Sequence, residues 1–454
     1  MLMRIERKHY LSKIIDTRND GLIKIITGIR RCGKSYLLFD IYGDYLSKDL
    51  GIDKGHIIKF AFDNDEDIDK LEKYYQDEPT KIYLDKEKKK YLVNSKKFRA
   101  FINEKTNSDE TFYILLDEVQ LLQDFVGTLN GFLRHHSYDI YVTGSNSRFL
   151  STDVASEFRA RGEQIRVNPL SFKEFYESQN VSYEDAYREY LYFGGLPFTA
   201  TITSDERKID YLKEVFDQLY LKDLLDRYEI SSVSSFDILI DILSSSIGTY
   251  TNPYNIEKTF KSELNISYHH DTISKHIEYL KEIFLIREAN RYDIKGRKYI
   301  SANSKYYFID LGLRNARLNF RQQEPTHLME NLIYNELLIR GYNVDIGIVE
   351  KNEKNKKGNG ISKQLEVDFV CSKGNKKYYI QSAYSIPNPE KRMQEIRSLE
   401  EIKDSFKKIV IVNDNFKPWI DDKGIEYISL KDFLLGDNPL EMWWIWISKV
   451  LLLI

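Results

Sequence analysis

Eight consecutive residues near the N-terminus have the types and spacing that bind phosphate. Two glycines bracket four residues, and Lys34 and Ser35 follow directly. Glycine allows the backbone turns that aim consecutive N–H groups at phosphate oxygens, and the start of a helix adds positive potential. The Lys34 ammonium would lie on the β and γ phosphates, and the Ser35 hydroxyl would bind Mg²⁺. The predicted ATP site consists of Gly28, Ile29, Arg30, Arg31, Cys32, Gly33, Lys34, Ser35 and Tyr36.

A second chemical signature is an apolar run, Tyr113–Leu116, that ends in two acids, Asp117 and Glu118. We expect Asp117 to hold the hydration shell of Mg²⁺. We expect Glu118 to polarise the attacking water as a general base. The alternative is a polar pair that only ends a strand. The acid pair favours ATP hydrolysis over binding alone.

Two more residues are candidate catalytic groups beside the loop lysine and the general base. Asn146 follows the apolar run 140–143 and could hydrogen-bond the γ phosphate, or it could satisfy the backbone of its own turn. Arg161 could neutralise charge on the transferred phosphoryl group of its own or a neighbouring subunit, or be a surface arginine. Arg30 and Arg31 in the loop either add positive potential or bind a partner.

The elements that must position these residues alternate between strand and helix over residues 1–168. Helical periodicity lies between the apolar runs, for example at 98–104 and 125–134, and the charged run 81–90 predicts a solvated excursion. This alternation predicts an α/β domain with a parallel sheet covered on both faces. The strands are predicted at 22–27, 57–62, 112–116, 140–143 and 165–167.

The second half of the chain has a different pattern. Residues 169–230 are mostly helical and predict a lid. Residues 231–320 contain three helical patterns and then two strand-like runs, the order of a winged helix. Residues 272–305 contain basic side chains that could contact DNA, with Lys295, Arg297 and Lys298 at the wing. Four acids in this stretch dilute the field, so contact with a protein is the alternative.

Four motifs together resemble prokaryotic AAA-type ATPases that carry a C-terminal domain of unknown function. This resemblance implies a P-loop ATPase core at 1–168, a helical lid, a winged helix, and a restriction-endonuclease-like α/β domain at 321–440. It also implies a role for Arg161, which matches the family's arginine. The motifs are residues 27–35, 116–120, 143–147 and 169–175, with further similarity at Gly194–Pro197 and around Lys222 and Asp223.

Nucleases of that fold use two carboxylates for a divalent metal and a lysine near the attacking water. Asp368 fits the first acid, and Glu330 on the preceding helix could support it. Gln381 and Ala383 stand where a second carboxylate and the lysine are needed. We therefore expect an inactive nuclease fold kept for binding or assembly. Some metal binding stays an alternative, because Glu366 and Asp368 share one strand face.

The bulk composition excludes several classes of protein. A net charge of −3 gives no general attraction to polyanions. Cys32 and Cys371 cannot form a disulfide framework, so a cytoplasmic location is predicted. His269 and His270 predict a polar turn rather than a metal site, because no cysteine or third histidine is near. No transmembrane segment is predicted.

Residues 441–454 form an apolar tail that contains three of the four tryptophans. The tail is shorter than the ~20 residues that span a bilayer. It could be an interfacial anchor, pack on the last domain, or be non-native.

The function predicted from these features is a Mg²⁺-dependent ATPase whose nucleotide state repositions a C-terminal DNA- or protein-binding module. One alternative is a nucleotide-dependent switch or assembly protein with little turnover, and another is an ATP-dependent nuclease. A homo-oligomer or a protein partner is a further expectation.

Overall fold

The structure is a computed structural model. It describes residues 4–85, 90–108, 110–144, 161–221, 224–225, 228, 230, 232–354 and 360–441. Asn146, the Lys222–Asp223 region and the apolar tail from residue 442 onward lie outside the described residues. The chain divides into two compact units, Met1–Pro169 and Leu170–Ile454. The finer predicted boundaries within the second unit stay predictions.

The first unit contains a five-stranded sheet in the order β2-β5-β6-β1-β7, and every neighbouring pair is parallel. A separate antiparallel hairpin, β3–β4, occupies the stretch expected to be a solvated excursion. The strands are β1 (Ile23–Gly28), β2 (Ile57–Ala61), β3 (Lys81–Asp85), β4 (Lys90–Val93), β5 (Phe112–Asp117), β6 (Tyr138–Gly144) and β7 (Gly162–Val167).

Helices cover this sheet, as the apolar runs require. Every residue of β1 and β5 is buried, which is typical of a parallel sheet with two covered faces. The helices are α1 (Lys8–Asp16), α2 (Lys34–Tyr36), α3 (Asp65–Asp69), α4 (Ser95–Lys105) and α5 (Phe125–Phe132). Helix α2 continues through π-helical turns at Leu37–Tyr42 and Tyr45–Asp49, and short 3₁₀ helices lie at Lys54–His56 and Val119–Leu121. The predicted α/β fold with a parallel sheet is confirmed.

The second unit contains a nine-stranded mixed sheet in the order β15-β16-β14-β13-β12-β11-β9-β10-β8. The antiparallel hairpin β9–β10 was predicted as a wing, and β9 pairs in parallel with β11. One sheet therefore runs across the predicted boundary at residue 320. The strands are β8 (Tyr250–Thr251), β9 (Ile286–Asp293), β10 (Lys298–Phe308), β11 (Asn343–Lys354), β12 (Gly360–Lys373), β13 (Lys376–Ala383), β14 (Lys407–Val412), β15 (Trp419–Ile420) and β16 (Ile425–Ser429).

The helices of the second unit precede, interrupt and follow this sheet. They are α6 (Phe172–Ser178), α7 (Tyr183–Phe193), α8 (Asp205–Glu214), α9 (Val233–Ser245), α10 (Pro253–Glu263), α11 (His270–Glu282), α12 (Leu311–Arg317), α13 (Pro325–Ile339), α14 (Pro389–Glu400) and α15 (Leu430–Leu435). A π-helical segment lies at Val215–Leu221, with 3₁₀ turns at Thr199–Thr201 and Pro439–Glu441. Three helices, α9 to α11, precede the β9–β10 hairpin in the predicted order.

Candidate functional site

The glycine loop begins where β1 ends, and the neighbouring strand β7 determines its first residue. Gly28 has φ 146°, and a Cβ there would lie 2.1 Å from the Val167 carbonyl oxygen. Only glycine fits at this position, because β7 runs directly alongside. Cys32 is buried in the loop with its Sγ 3.5 Å from the same carbonyl oxygen. Gly33, at φ 90°, then turns the chain into α2.

Lys34 is the one lysine of the loop, and its side chain folds back over the loop backbone. It is only 5% exposed, and its Nζ donates to the carbonyl oxygens of Gly28 at 3.0 Å and Ile29 at 3.1 Å. The ammonium therefore lies inside the curve of the loop. The exposed Ser35 hydroxyl hydrogen-bonds the Asp117 carboxylate. This bond joins the loop to the acid pair.

Strand β6 lies between β1 and β5, and its Thr143 connects the two predicted acids. The Thr143 hydroxyl donates to the Asp117 carboxylate and accepts a 3.0 Å hydrogen bond from the Glu118 backbone N–H. Sequence analysis did not identify Thr143. The signal was available, because a threonine ends the apolar run 140–143, but nothing local indicates which strand is adjacent.

A third carboxylate, Asp63, lies near the acid pair and was also missed. It follows β2, which pairs with β5 so that Ala61 is opposite Asp117. Partial desolvation and the Glu118 carboxylate raise the pKa of Asp63. The apolar run 57–62 ends in this acid as the run before Asp117 does, and that repeated pattern could have indicated it.

Asp117 is the most deeply buried acid of this group, at 5% exposed. Burial raises its pKa, the Thr143 and Ser35 hydrogen bonds oppose the rise, and the charges of Glu118 and Asp63 add to it. Beyond burial, the charges of Glu118 and Asp63 act on Asp117, so three carboxyl groups lie close together here. Carboxylate and hydroxyl oxygens are the ligands that Mg²⁺ prefers, so this donor set fits that cation.

Glu118, the predicted general base, has a left-handed backbone at φ 50°. Its carboxylate accepts a hydrogen bond from the Gln120 side-chain amide. The other amide atom, Gln120 Oε1, is buried without a hydrogen-bond partner. Gln120 therefore holds the Glu118 carboxylate from two residues further along the chain, whereas the sequence suggested a contact to nucleotide or water, or an ordinary surface position.

Arg161 does not join this group within one chain. It precedes β7, and its carbonyl oxygen accepts a 2.9 Å hydrogen bond from Ile23 N at the start of β1. The loop lies at the other end of β1, about 20 Å away for a six-residue strand. A role for Arg161 at a nucleotide would therefore have to be at the site of a neighbouring copy.

A buried charged cluster joins the β9–β10 hairpin to the rest of the second unit. Lys305 on β10 donates to Glu330 Oε1 at 2.8 Å and to Glu366 Oε1 at 2.7 Å. Tyr307 also donates to Glu330 Oε1, at 2.5 Å. Burial lowers the pKa of Lys305, and the two carboxylates more than reverse that effect. Strand β10 thus supplies an ammonium to Glu330 and Glu366, two of the acids considered above as candidate metal ligands of a nuclease.

Asp368 lies beside this cluster, and its Oδ2 accepts a 2.7 Å hydrogen bond from Ser382 N. Burial and the Glu330 charge raise the pKa of Asp368, while Lys305 opposes the rise. Ala383 is buried in the apolar core, and the Gln381 side chain accepts a 3.4 Å hydrogen bond from Ser398. Of the two positions that lack nuclease chemistry, Ala383 therefore lies in the core and Gln381 is half-buried beside it.

Several basic residues of the proposed DNA-binding stretch make internal contacts. Lys281 pairs with Glu278 and Glu288. Lys295 donates to the Glu350 carbonyl oxygen, and Arg291 donates to Gln364. The basic side chains of this stretch with neither a hydrogen bond nor an ion pair to any described residue are Lys275, Arg297 and Lys298.

Two regions of the chain match known protein families, and two relatives match nearly its whole length. Residues 20–176 match a family model described as an AAA domain, and residues 184–324 match a domain of unknown function (DUF8612). An uncharacterized Haemophilus influenzae protein is 32% identical over 437 residues, which are 95% of this chain and 98% of that protein. An uncharacterized Methanocaldococcus jannaschii protein is 28% identical over 438 residues, 93% of this chain and 88% of that protein.

Among solved structures, the match to the Aeropyrum pernix ORC2 protein (ADPNP–ADP complexes) covers 72% of this chain and 94% of that chain, with 11% identity and a TM-score of 0.38. A likeness at this level carries no argument about function. In the part of the chain that the structure describes, no helix has the length and apolar character needed to cross a membrane.

Proposed function

The chain belongs to the AAA-domain family that includes the Haemophilus influenzae relative, and from this premise we propose that it is a Mg²⁺-dependent cytoplasmic ATPase. Its nucleotide state would reposition the C-terminal unit as a DNA- or protein-binding module. The observation that carries the proposal is the convergence of the glycine loop with Asp117 and Glu118 at one edge of the first sheet. This arrangement is consistent with an AAA domain of the nucleotide-binding ATPase type.

In the proposed binding step, the loop N–H groups and the start of α2 receive the phosphates. The Lys34 ammonium leaves the Gly28 and Ile29 carbonyl oxygens and contacts the β and γ phosphates. Its position inside the loop means that this movement is short. Ser35 and Asp117 would hold Mg²⁺, which would supply positive charge that offsets the negative charge of the phosphates.

In the proposed hydrolytic step, Glu118 accepts a proton from the attacking water. Thr143 holds both acids in register, because it donates to the Asp117 carboxylate and accepts from the Glu118 backbone. Asp63 adds negative charge on the same side and would strengthen cation binding. Asn146 and Arg161 stay candidate contacts to the γ phosphate, Arg161 from a neighbouring copy.

The alternative of a nucleotide switch with little turnover is supported by one specific contact. The Gln120 amide donates to the Glu118 carboxylate, which competes with the water that this carboxylate must polarise. Hydrolysis would then be slow until a partner or DNA releases Glu118. A restriction-endonuclease-like activity has no comparable support, because Gln381 and Ala383 offer neither a second carboxylate nor an ammonium beside Asp368.

Steady-state phosphate release with ATP and Mg²⁺ tests the proposal. We expect Glu118→Gln to keep ATP affinity and lower turnover by about 10²-fold or more, since it removes the general base. Lys34→Ala should instead lose ATP affinity. Glu66→Gln on α3, an exposed residue, is the matched control and should behave as wild type.

The outcomes separate the alternatives. Equal inactivity of wild type and Glu118→Gln, with and without DNA, together with intact ATP binding would reject the ATPase and leave the switch. Faster turnover in Gln120→Ala than in wild type would indicate that Gln120 restrains Glu118. ATP binding that persists in every variant of the loop would reject the nucleotide site itself.

A further inference from the structure

Three side chains with metal-binding atoms meet in the second unit, away from the nucleotide site. Glu257 belongs to α10, and His269 and His270 begin α11. One ligand atom from each lies within 4.8 Å of the other two. The adjacent histidines predicted a polar turn because no third ligand was visible in the sequence. The packing of α10 against α11 supplies that ligand from thirteen residues away.

The contacts arrange imidazole nitrogens and carboxylate oxygens around a common point. Glu257 Oε2 lies 2.7 Å from His270 Nδ1, and the two imidazole rings are 4.1 Å apart between centroids. Asp271 lies 3.3 Å from His269 Nδ1 and 3.6 Å from His270 Nε2, the ring nitrogen of His270 that faces away from Glu257. Two imidazoles with one carboxylate are a donor set that suits Zn²⁺ and similar transition metals.

The surroundings keep these donors both oriented and accessible. The Tyr254 ring stacks on the His270 ring at a centroid distance of 4.0 Å, which limits rotation of the imidazole. His269 and Asp271 side chains are 59% and 83% exposed, so an ion can enter from solvent.

We propose that Glu257, His269 and His270 bind one divalent transition-metal ion, with solvent completing the coordination. Zinc is the ion that this donor set suits best. The site links α10 to the start of α11, the last two helices before the β9–β10 hairpin. A bound ion would therefore fix the angle between these two helices. This proposal is independent of the ATPase chemistry proposed for the first unit.

The test is calorimetric titration of zinc into the untagged full-length protein after chelator treatment. Excess Mg²⁺ in the buffer keeps the oxygen-rich carboxylates near Asp117 occupied. We expect one zinc per chain with a Kd of about 1 µM. Glu257→Gln and His270→Ala should each weaken binding by roughly ten- to a hundredfold. Zinc should also raise the melting temperature of wild type but not of these variants.

The chain offers a matched control in its other adjacent histidine pair, His135 and His136, which are exposed and belong to no metal-binding group among the described residues. The double variant His135→Ala/His136→Ala should bind zinc as wild type does. Zinc affinity that is unchanged in Glu257→Gln and His270→Ala, or lost in the His135/His136 variant, would overturn the proposal. Circular dichroism identifies a misfolded variant, and Glu257→Gln, the most conservative change, then decides.

Discussion

At the scale of single residues, the role proposed for Asp117 conflicts with its burial when no cation is bound. Its carboxylate must be ionised to hold Mg²⁺, but it is 5% exposed and lies near two other acids. Burial and those charges raise its pKa above the ordinary value for aspartate. At neutral pH the folded protein therefore bears a penalty that the unfolded chain does not. The ionised carboxylate that cation binding requires therefore lowers the stability of the cation-free protein.

We predict that Asp117→Asn raises the melting temperature of the nucleotide-free protein at pH 7 by about 2–4 °C, because it removes the buried charge. The advantage should shrink as pH falls through the raised pKa towards the ordinary value, since wild type then becomes protonated in the fold as well. Differential scanning calorimetry across that pH range measures the effect.

The exposed Asp40→Asn is the control for this comparison and should change the melting temperature little. A lower melting temperature for Asp117→Asn than for Asp40→Asn at neutral pH would contradict the argument. Mg²⁺-ATP should stabilise wild type more than Asp117→Asn, because the variant binds the cation more weakly.

At the scale of elements, Lys305 connects β10 to α13 and β12. Its ammonium pairs with Glu330 and Glu366 in a nearly closed environment, with 3% of the residue exposed. A buried ion pair contributes little net stability, but removal of one partner leaves the other charge without compensation. Asp368 also acts on this ammonium, so Lys305 faces three carboxyl groups.

We predict that Lys305→Met destabilises the protein by about 3–5 kcal/mol, as measured by urea denaturation. Lys298→Met, on the exposed part of the same strand, should cost less than about 0.5 kcal/mol. Adding Glu330→Gln to Lys305→Met should recover part of the loss, because one uncompensated charge is then removed. Equal stability of the two lysine variants would show that the ion pairs are not required.

At the scale of the whole molecule, the charge distribution limits any contact with DNA. The net charge is −3, and Lys281, Arg291, Lys295 and Lys305 are engaged in internal contacts. A phosphate contact in residues 272–305 would therefore depend on Lys275, Arg297 and Lys298. This number of cations fits weak binding without sequence preference.

We predict that the wild-type protein binds duplex DNA weakly, with an affinity that falls as salt rises. Arg297→Ala/Lys298→Ala should lower the slope of log K against log salt by about 2, because two phosphate contacts are lost. Fluorescence anisotropy at several salt concentrations measures this slope. Lys54→Ala/Lys403→Ala removes two exposed lysines elsewhere and should leave it unchanged. Equal slopes for both double variants would favour a protein-binding module.

The sequence by itself determined the features that are contiguous along the chain. The glycine loop, the acids after an apolar run and the alternation of strand and helix each depend on neighbouring residues, so local spacing is sufficient. The same reasoning noted that Gln381 and Ala383, which belong to one short strand, offer neither a carboxylate nor an ammonium. Element boundaries within the first sheet agree with the structure to within a few residues, for example at β1 and β5.

The tertiary structure decided which distant residues meet. The strand order places Thr143 between the loop and the acid pair and brings Asp63 near that pair. Arg161 lies at the other end of β1 from the glycine loop. The packing of the second unit brings Lys305 to Glu330, twenty-five positions along the chain. The physical reason is that an apolar run indicates that a strand is buried, whereas the identity of the adjacent strands depends on the pairing of the whole sheet.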